Sequence, residues 1–286
     1  MTVTYAQQEK YAEIEGHQIC YVDEGEGPPL LLIHGLGGSI HNWTPVIEHF
    51  KDDYRVIALD LPGCGKSEIP DDDYSLDFFA RHIRGLLAEL GVERASVAGH
   101  SLGGMISLHL ALNHPEMVEN LILVDNAGSH YFPGILKRLL RRIPPRLLKR
   151  FLLFFISYLA RIRVFRRAVG VQNINQYTDA LVANAVALAD RPDIDEYLDA
   201  YIETARTALD VSYHERLDEI SKPTLIIWGQ NDLAISLKVG QEENKKIRGS
   251  FLVSIPQADH VVQLDQPEIF NAAVARFLAG ATAVTG

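Results

Sequence analysis

Six apolar runs of strand length, separated by stretches with helical periodicity, restrict this 286-residue chain more than any other feature it has. The runs are PLLLIHG (29–35), YRVIALD (54–60), RASVAGH (94–100), VENLILVDN (118–126), PTLIIWG (223–229) and SFLVSIPQ (250–257). Their centres are apolar at consecutive positions, so both faces of each strand need cover, as in a parallel sheet held between helical layers. The cover is written between them. In LDFFARHIRGLLAELG the residues Phe79, Ile83, Leu86, Leu87 and Leu90 fall on one helical face, and PEIFNAAVARFLAG repeats the pattern and closes on Gly280. Ahead of these, KYAEIEG and HQICYVDEG read as a hairpin. The expected fold is α/β, a mostly parallel sheet with helices on both faces.

The alternation stops after Asn126 and resumes at PTLIIWG, so residues 1–126 and 213–286 read as one core and 127–212 as an inserted helical cap. No internal repeat or low-complexity linker interrupts this plan. Charge supports the division. From Asn126 to Thr178 there are 11 Lys and Arg and no acidic residue, leaving 16 basic against 37 acidic residues elsewhere. The net charge of −10 argues against a nucleic-acid partner. Hydrophobic residues at 47% and charged residues at 22% fit a soluble globular protein, and the N-terminus lacks a basic start followed by an apolar run, so a cytoplasmic location is expected. Cys20 and Cys64 stand far apart without metal-ligand spacing, which indicates neither a disulfide framework nor a zinc site.

Four places could carry chemistry. In VAGHSLGG, Ser101 falls between Gly99 and Gly103 at the junction of a strand and an apolar helix. A strand-to-helix turn that sharp exposes the serine hydroxyl at the carboxyl end of the sheet, although glycines there could also serve the turn alone. In LLIHGLGG, residues 34–38 form a glycine-rich turn through which a backbone N–H can approach a developing oxyanion, so Leu36 N–H and Leu102 N–H are candidates for that role. His34 itself reads as a structural hydrogen-bonder. Asp232 follows the strand IIWG and His260 follows the last strand, which supplies a base for the serine and a carboxylate to hold that base. His109 and His114 lie on or beyond a helix and fit this less well. Asp125, ending LILVD, is an alternative acid.

The set HGLGG, LDLPGCGKS, GHSLGG, WGQND and ADHVVQLDQPEIF, in this order, resembles the α/β-hydrolase superfamily, near its cap-bearing esterases and lipases. The resemblance covers residues ~10–126 and ~213–280 and leaves the cap without a recognised motif. It implies an eight-stranded sheet, a triad of Ser101, Asp232 and His260, an oxyanion hole from Leu36 and Leu102, and no cofactor. Epoxide hydrolases and haloalkane dehalogenases of this fold carry an aspartate nucleophile, which Ser101 replaces here. Carbon–carbon hydrolases usually have Asn before the serine and Trp after the histidine, where this chain has His100 and Val261. The proline that often follows the acid is missing from NDLAIS. LPGCGKSE ends like a phosphate-binding loop, but that loop needs a glycine where Asp60 stands.

The cap segment joins the basic cluster to a ten-residue apolar run, Phe151–Ala160, bracketed by Lys149, Arg150 and Arg161 and too short to span a bilayer. Three uses are open. Leu147, Leu148, Phe151, Phe154 and Phe155 could roof a site; the segment could dock on anionic lipid; or Arg141, Arg142, Arg163 or Arg166 could pair an anionic substrate. The expected activity is hydrolysis of carboxylic esters with a hydrophobic acyl or alcohol part. The alternatives are a carbon–carbon hydrolase, lactonase or perhydrolase with the same residues, or a ligand-binding member with little turnover.

Overall fold

A computed structural model describes residues 9–130, 134–157, 173, 175, 177–179, 183 and 187–280. Eight strands form one sheet: β1 (Lys10–Ile14), β2 (His17–Glu24), β3 (Pro29–Ile33), β4 (Arg55–Leu59), β5 (Ala95–His100), β6 (Val118–Val124), β7 (Thr224–Gly229) and β8 (Phe251–Ile255). Their order is β1-β2-β4-β3-β5-β6-β7-β8. The hairpin β1–β2 and the β2–β4 pair are antiparallel, and every other pair is parallel.

Side chains alternate across the sheet, which divides the core in two. Leu31, Ile33, Val97, Leu121, Leu123 and Ile226 face one layer, where helices α2 (Leu76–Glu89) and α3 (Leu102–Asn113) contribute Phe78, Phe79, Ile83, Leu86, Met105 and Leu108. Leu30, Leu32, Ala98, Ile122, Leu225 and Ile227 face the other, against Val46, Ile47 and Phe50 of α1 (Thr44–Phe50) and a C-terminal helix bearing Phe270 and Val274. The consecutive apolar positions of each run are thus divided between two different layers. Helix α3 is buried along nearly its whole length, Leu102 to Ala111, and has no polar face.

Between β6 and β7 the described elements are helical: α4 (Gly134–Arg142), α5 (Pro145–Ser157) and α6 (Ile194–Asp210), with a short 3-10 turn before α6 and another after it. Lys149 of α5 is hydrogen-bonded to Asp199 of α6 at 2.6 Å. Arg191 ties the segment to the body, donating to the Gly65 carbonyl at 2.6 Å while pairing both oxygens of Asp193. Helix α7 (Leu237–Lys246) follows β7, and α8 (Val262–Asp265) and α9 (Pro267–Leu278) follow β8.

The path of the chain opens a crevice. It leaves β3 toward β4 on one side and returns across β3 to β5 on the other, so the loops after β3 and β5 diverge at the carboxyl end of the sheet. The loops after β6, β7 and β8 continue along the same edge. Among the described residues, no helix is long and apolar enough to cross a membrane.

Candidate active site

Ser101 joins β5 directly to α3 with φ 54° and ψ −112°, a conformation that costs a non-glycine residue about 1–3 kcal/mol. Its neighbours make this possible. A β-carbon on Gly99 would collide with the Gly103 carbonyl and the Ser107 hydroxyl, and one on Gly103 would collide with the Ile33 and His34 carbonyls at the end of β3. The turn is held by Ser101 N–H donating to the Val124 carbonyl at 2.9 Å and by its carbonyl accepting from Met105 and Ala127.

The loop after β8 brings His260 back over β7 and β6 to this serine. Its Nε2 lies 3.0 Å from Ser101 Oγ, and its Nδ1 lies 2.8 Å from Asp232 Oδ2. Asp232 Oδ1 accepts backbone N–H groups from Ala234 and Ile235 at 2.7 and 2.9 Å, so the fully buried carboxylate is fixed on one side and faces His260 with the other. A carboxylate only accepts, so Nδ1 must carry the imidazole proton. That leaves the Nε2 lone pair aimed at the serine hydroxyl.

Asp125 does not reach this relay. Its Oδ1 accepts Gly229 N–H at 2.8 Å, at the strand end from which the Asp232 loop departs. Burial, and then the neighbouring charge of Asp232, push its carboxyl well above the usual carboxylate range. Asp232 is thus bound to the imidazole, whereas Asp125 is bound to the backbone of β7.

His34 and His100 organise the site from behind. Leu61 N–H donates to His34 Nε2 at 3.0 Å, so His34 Nδ1–H must be the donor to the Gly35 carbonyl at 2.7 Å. Gly38 N–H donates to the same carbonyl at 3.0 Å. The Gly35–Leu36 peptide is trans, so fixing its carbonyl also fixes the opposite direction of Leu36 N–H. Neither Leu36 N–H nor Leu102 N–H donates to an acceptor among the described residues. A β-carbon on Gly35 would lie 3.1 Å from Ser101 Cβ, so this loop lies against the serine. His100, buried beneath the turn, hydrogen-bonds through Nε2 to the His260 carbonyl at 2.7 Å. Burial lowers His34 to about 4 and His100 to about 3, which keeps both rings neutral.

Two aromatic side chains next to the glycine loop come from a region that carries no motif. Tyr197 and Tyr201 of α6 lie against Gly37: a β-carbon there would lie 2.9 Å from the Tyr201 ring and 3.6 Å from the Tyr197 hydroxyl. Their spacing of four on an amphipathic helix was the only available signal. Three of the candidate roof residues are exposed. Leu147, Phe151 and Phe154 are exposed on α5 and Leu148 is half-buried, while the side chains of Phe155, Arg141, Arg163 and Arg166 fall outside the described residues. Arg142 is exposed. The carboxylate of Asp60 takes the amide of Lys66, within LPGCGKSE, and that of Ile40, in the loop after β3, each at 2.7 Å.

A family model described as the alpha/beta hydrolase fold matches residues 28–267. Human Epoxide hydrolase 4 is 28% identical over 282 residues, covering 92% of this chain and 76% of that protein. Among solved structures, a bacterial membrane phospholipase A has a TM-score of 0.76 at 27% identity, over 96% of this chain and 86% of its own. A mutant of the meta-cleavage product hydrolase CumD from Pseudomonas fluorescens IP01, complexed with acetates, has a TM-score of 0.74 at 26% identity, over 95% of this chain and 98% of its own. With the motif order, the sheet topology and the family match in agreement, this chain belongs to the alpha/beta-hydrolase family.

Proposed function

We propose that this protein is a serine hydrolase that cleaves carboxylic esters through an acyl-enzyme. The observation that carries the reading is the hydrogen-bonded series Ser101 Oγ, His260 Nε2, His260 Nδ1 and Asp232 Oδ2, with spacings of 3.0 and 2.8 Å. Ser101 Oγ attacks the ester carbonyl as its proton passes to His260 Nε2, and Asp232 stabilises the resulting imidazolium. The carbonyl oxygen becomes an oxyanion held by Leu36 N–H and Leu102 N–H, the second with the N-terminus of α3 behind it. Collapse breaks the bond to the alkoxy oxygen, which leaves with the His260 proton. Water then repeats the sequence on the acyl-serine and regenerates the hydroxyl.

The names of relatives pull in several directions: an epoxide hydrolase, a membrane phospholipase A and a meta-cleavage product hydrolase. The ester reading is supported by Ser101 at the nucleophile turn and by His100 and Val261 beside the serine and histidine. The helical segment between β6 and β7 acts as a cap, and Tyr197 and Tyr201 give its inner wall an aromatic character that suits a hydrophobic acyl or alcohol group.

Intact mass after treatment with a fluorophosphonate tests the nucleophile. One adduct is expected on the wild type and none on Ser101→Ala. Turnover of a p-nitrophenyl ester, a lactone and a vinylogous diketone by the same preparation then fixes the bond, with the ester expected to give the highest kcat/KM. Preference for the diketone would replace this reading with carbon–carbon hydrolysis, and an unlabelled wild type would replace it with ligand binding.

A further inference from the structure

Helices α4 and α5 carry a surface that the catalytic reading does not use. On α4 the exposed side chains Ile135, Arg138 and Arg142 follow at intervals of three and four, which places them on one face. On α5 the same intervals connect Leu147, Phe151 and Phe154. Ile135 is 79% exposed, Leu147 57% and Phe151 59%, values far above those of apolar residues that pack within the molecule. Arg146 and Arg150 are exposed one residue before Leu147 and Phe151 and follow the same turns of α5. Arg138, Arg142, Arg146 and Arg150 pair with no acidic side chain among the described residues. Lys149 differs, since Asp199 of α6 already engages it.

From this combination we infer that the α4–α5 face is a docking surface for an anionic lipid bilayer. Charge complementarity selects the occupant. Residues 126–178 carry eleven positive side chains and no negative ones, while the rest of the chain holds 37 acidic residues against 16 basic. A negatively charged membrane therefore attracts this one segment, repels the body and sets the orientation of approach. Guanidinium groups next to protruding Leu, Ile and Phe side chains match the lipid interface, where phosphates lie directly above the acyl chains. An acidic protein would satisfy the arginines and leave Leu147 and Phe151 without a role. Both helices pack on α6, whose Tyr197 and Tyr201 lie against Gly37 in the loop whose Gly35 abuts Ser101, so the docked face is one helix away from the candidate site.

Flotation with vesicles of phosphatidylcholine alone, and of phosphatidylcholine mixed with phosphatidylglycerol, reads this directly and requires no turnover. The expected result is binding to the anionic vesicles only, weakening as salt is raised. Arg138→Gln, Arg142→Gln, Arg146→Gln and Arg150→Gln should each lower partitioning about fivefold. Phe151→Ser should lower it about tenfold through lost apolar insertion. The thermal midpoint and the rate on a soluble ester should stay at wild-type values in all five, which separates lost docking from lost folding. Equal binding to both vesicle types, no binding, or wild-type partitioning of the variant that combines the four arginine changes would overturn the inference. Binding to polyglutamate without binding to anionic vesicles would overturn it in favour of a protein partner.

Discussion

The sharpest division of labour at the residue scale is between Asp232 and Asp125. Both stand at the carboxyl ends of neighbouring strands, and sequence position does not separate them. Hydrogen bonding does: Asp232 contacts His260 at 2.8 Å, whereas Asp125 accepts Gly229 N–H, and burial and the charge of Asp232 raise its carboxyl. Asp232→Asn should therefore lower kcat by about 10³–10⁴-fold, because an amide leaves His260 in the wrong tautomer. Asp125→Asn should leave kcat close to wild type, since an amide oxygen still accepts Gly229 N–H and His260 meets Asp232 instead. Steady-state kinetics on one ester measures both, and the opposite ranking would assign the acid to Asp125.

The β5–α3 junction sets the most demanding condition at the element scale. Glycines at 99 and 103 are required because β5, α3 and the end of β3 approach within a β-carbon's width of each other, and the obstructing atoms at Gly103 are backbone carbonyls that cannot rotate away. Gly103→Ala should cost about 3 kcal/mol or more, read as a lowered midpoint in urea. A midpoint equal to that of the wild type would show that α3 can slide to admit the methyl group. This element was readable in the sequence because tight backbone approach admits only glycine. Helix α5 was less readable. Its apolar residues occupy more than one face, and periodicity alone cannot decide which face meets α6 and which meets the exterior, so the exposure of Leu147, Phe151 and Phe154 was not readable.

Buried titratable groups of opposite sign shape the response of the whole molecule to pH. Burial pushes Asp60 up to about 6 and Glu243 up to about 7. Glu243 Oε1 accepts from Asn126 Nδ2 at 2.6 Å and from Ser129 Oγ, while Oε2 has no hydrogen-bond partner among the described residues. A carboxyl raised by folding contributes stability that is complete below its ordinary range and is lost as pH rises through the folded value. His34 and His100 act in the opposite sense. Their lowered values contribute stability that is complete above the ordinary imidazole range and is lost as pH falls toward about 4 and about 3. The two sets partly cancel between about pH 4.5 and 6. Glu243→Gln removes one member and keeps the acceptor to Asn126 and Ser129. Its stability relative to wild type should improve by about 3 kcal/mol from pH 5 to pH 8, or roughly 5–10 °C in Tm. A pH-independent difference between the two proteins in thermal unfolding would refute it.

By itself the sequence determined the fold class, the strand order along the chain and the turn around Ser101, because each rests on local rules. Apolar runs of strand length need two covered faces, and a strand-to-helix turn with a side chain at its apex needs glycines around it. Chain order also brought Asp232 and His260 forward as partners of the serine, since each follows a strand that ends at the same edge of the sheet. Only the tertiary structure decided which acid the histidine meets, which tautomers His34 and His100 adopt, and that Tyr197 and Tyr201 stand over the glycine loop. These depend on contacts between segments far apart in the chain, such as His100 with His260 and Asp125 with Gly229, whose distances follow from sheet order and packing rather than from local pattern. The outward face of α5 belongs to the same class, because a helix with apolar residues on more than one side is oriented by its neighbours.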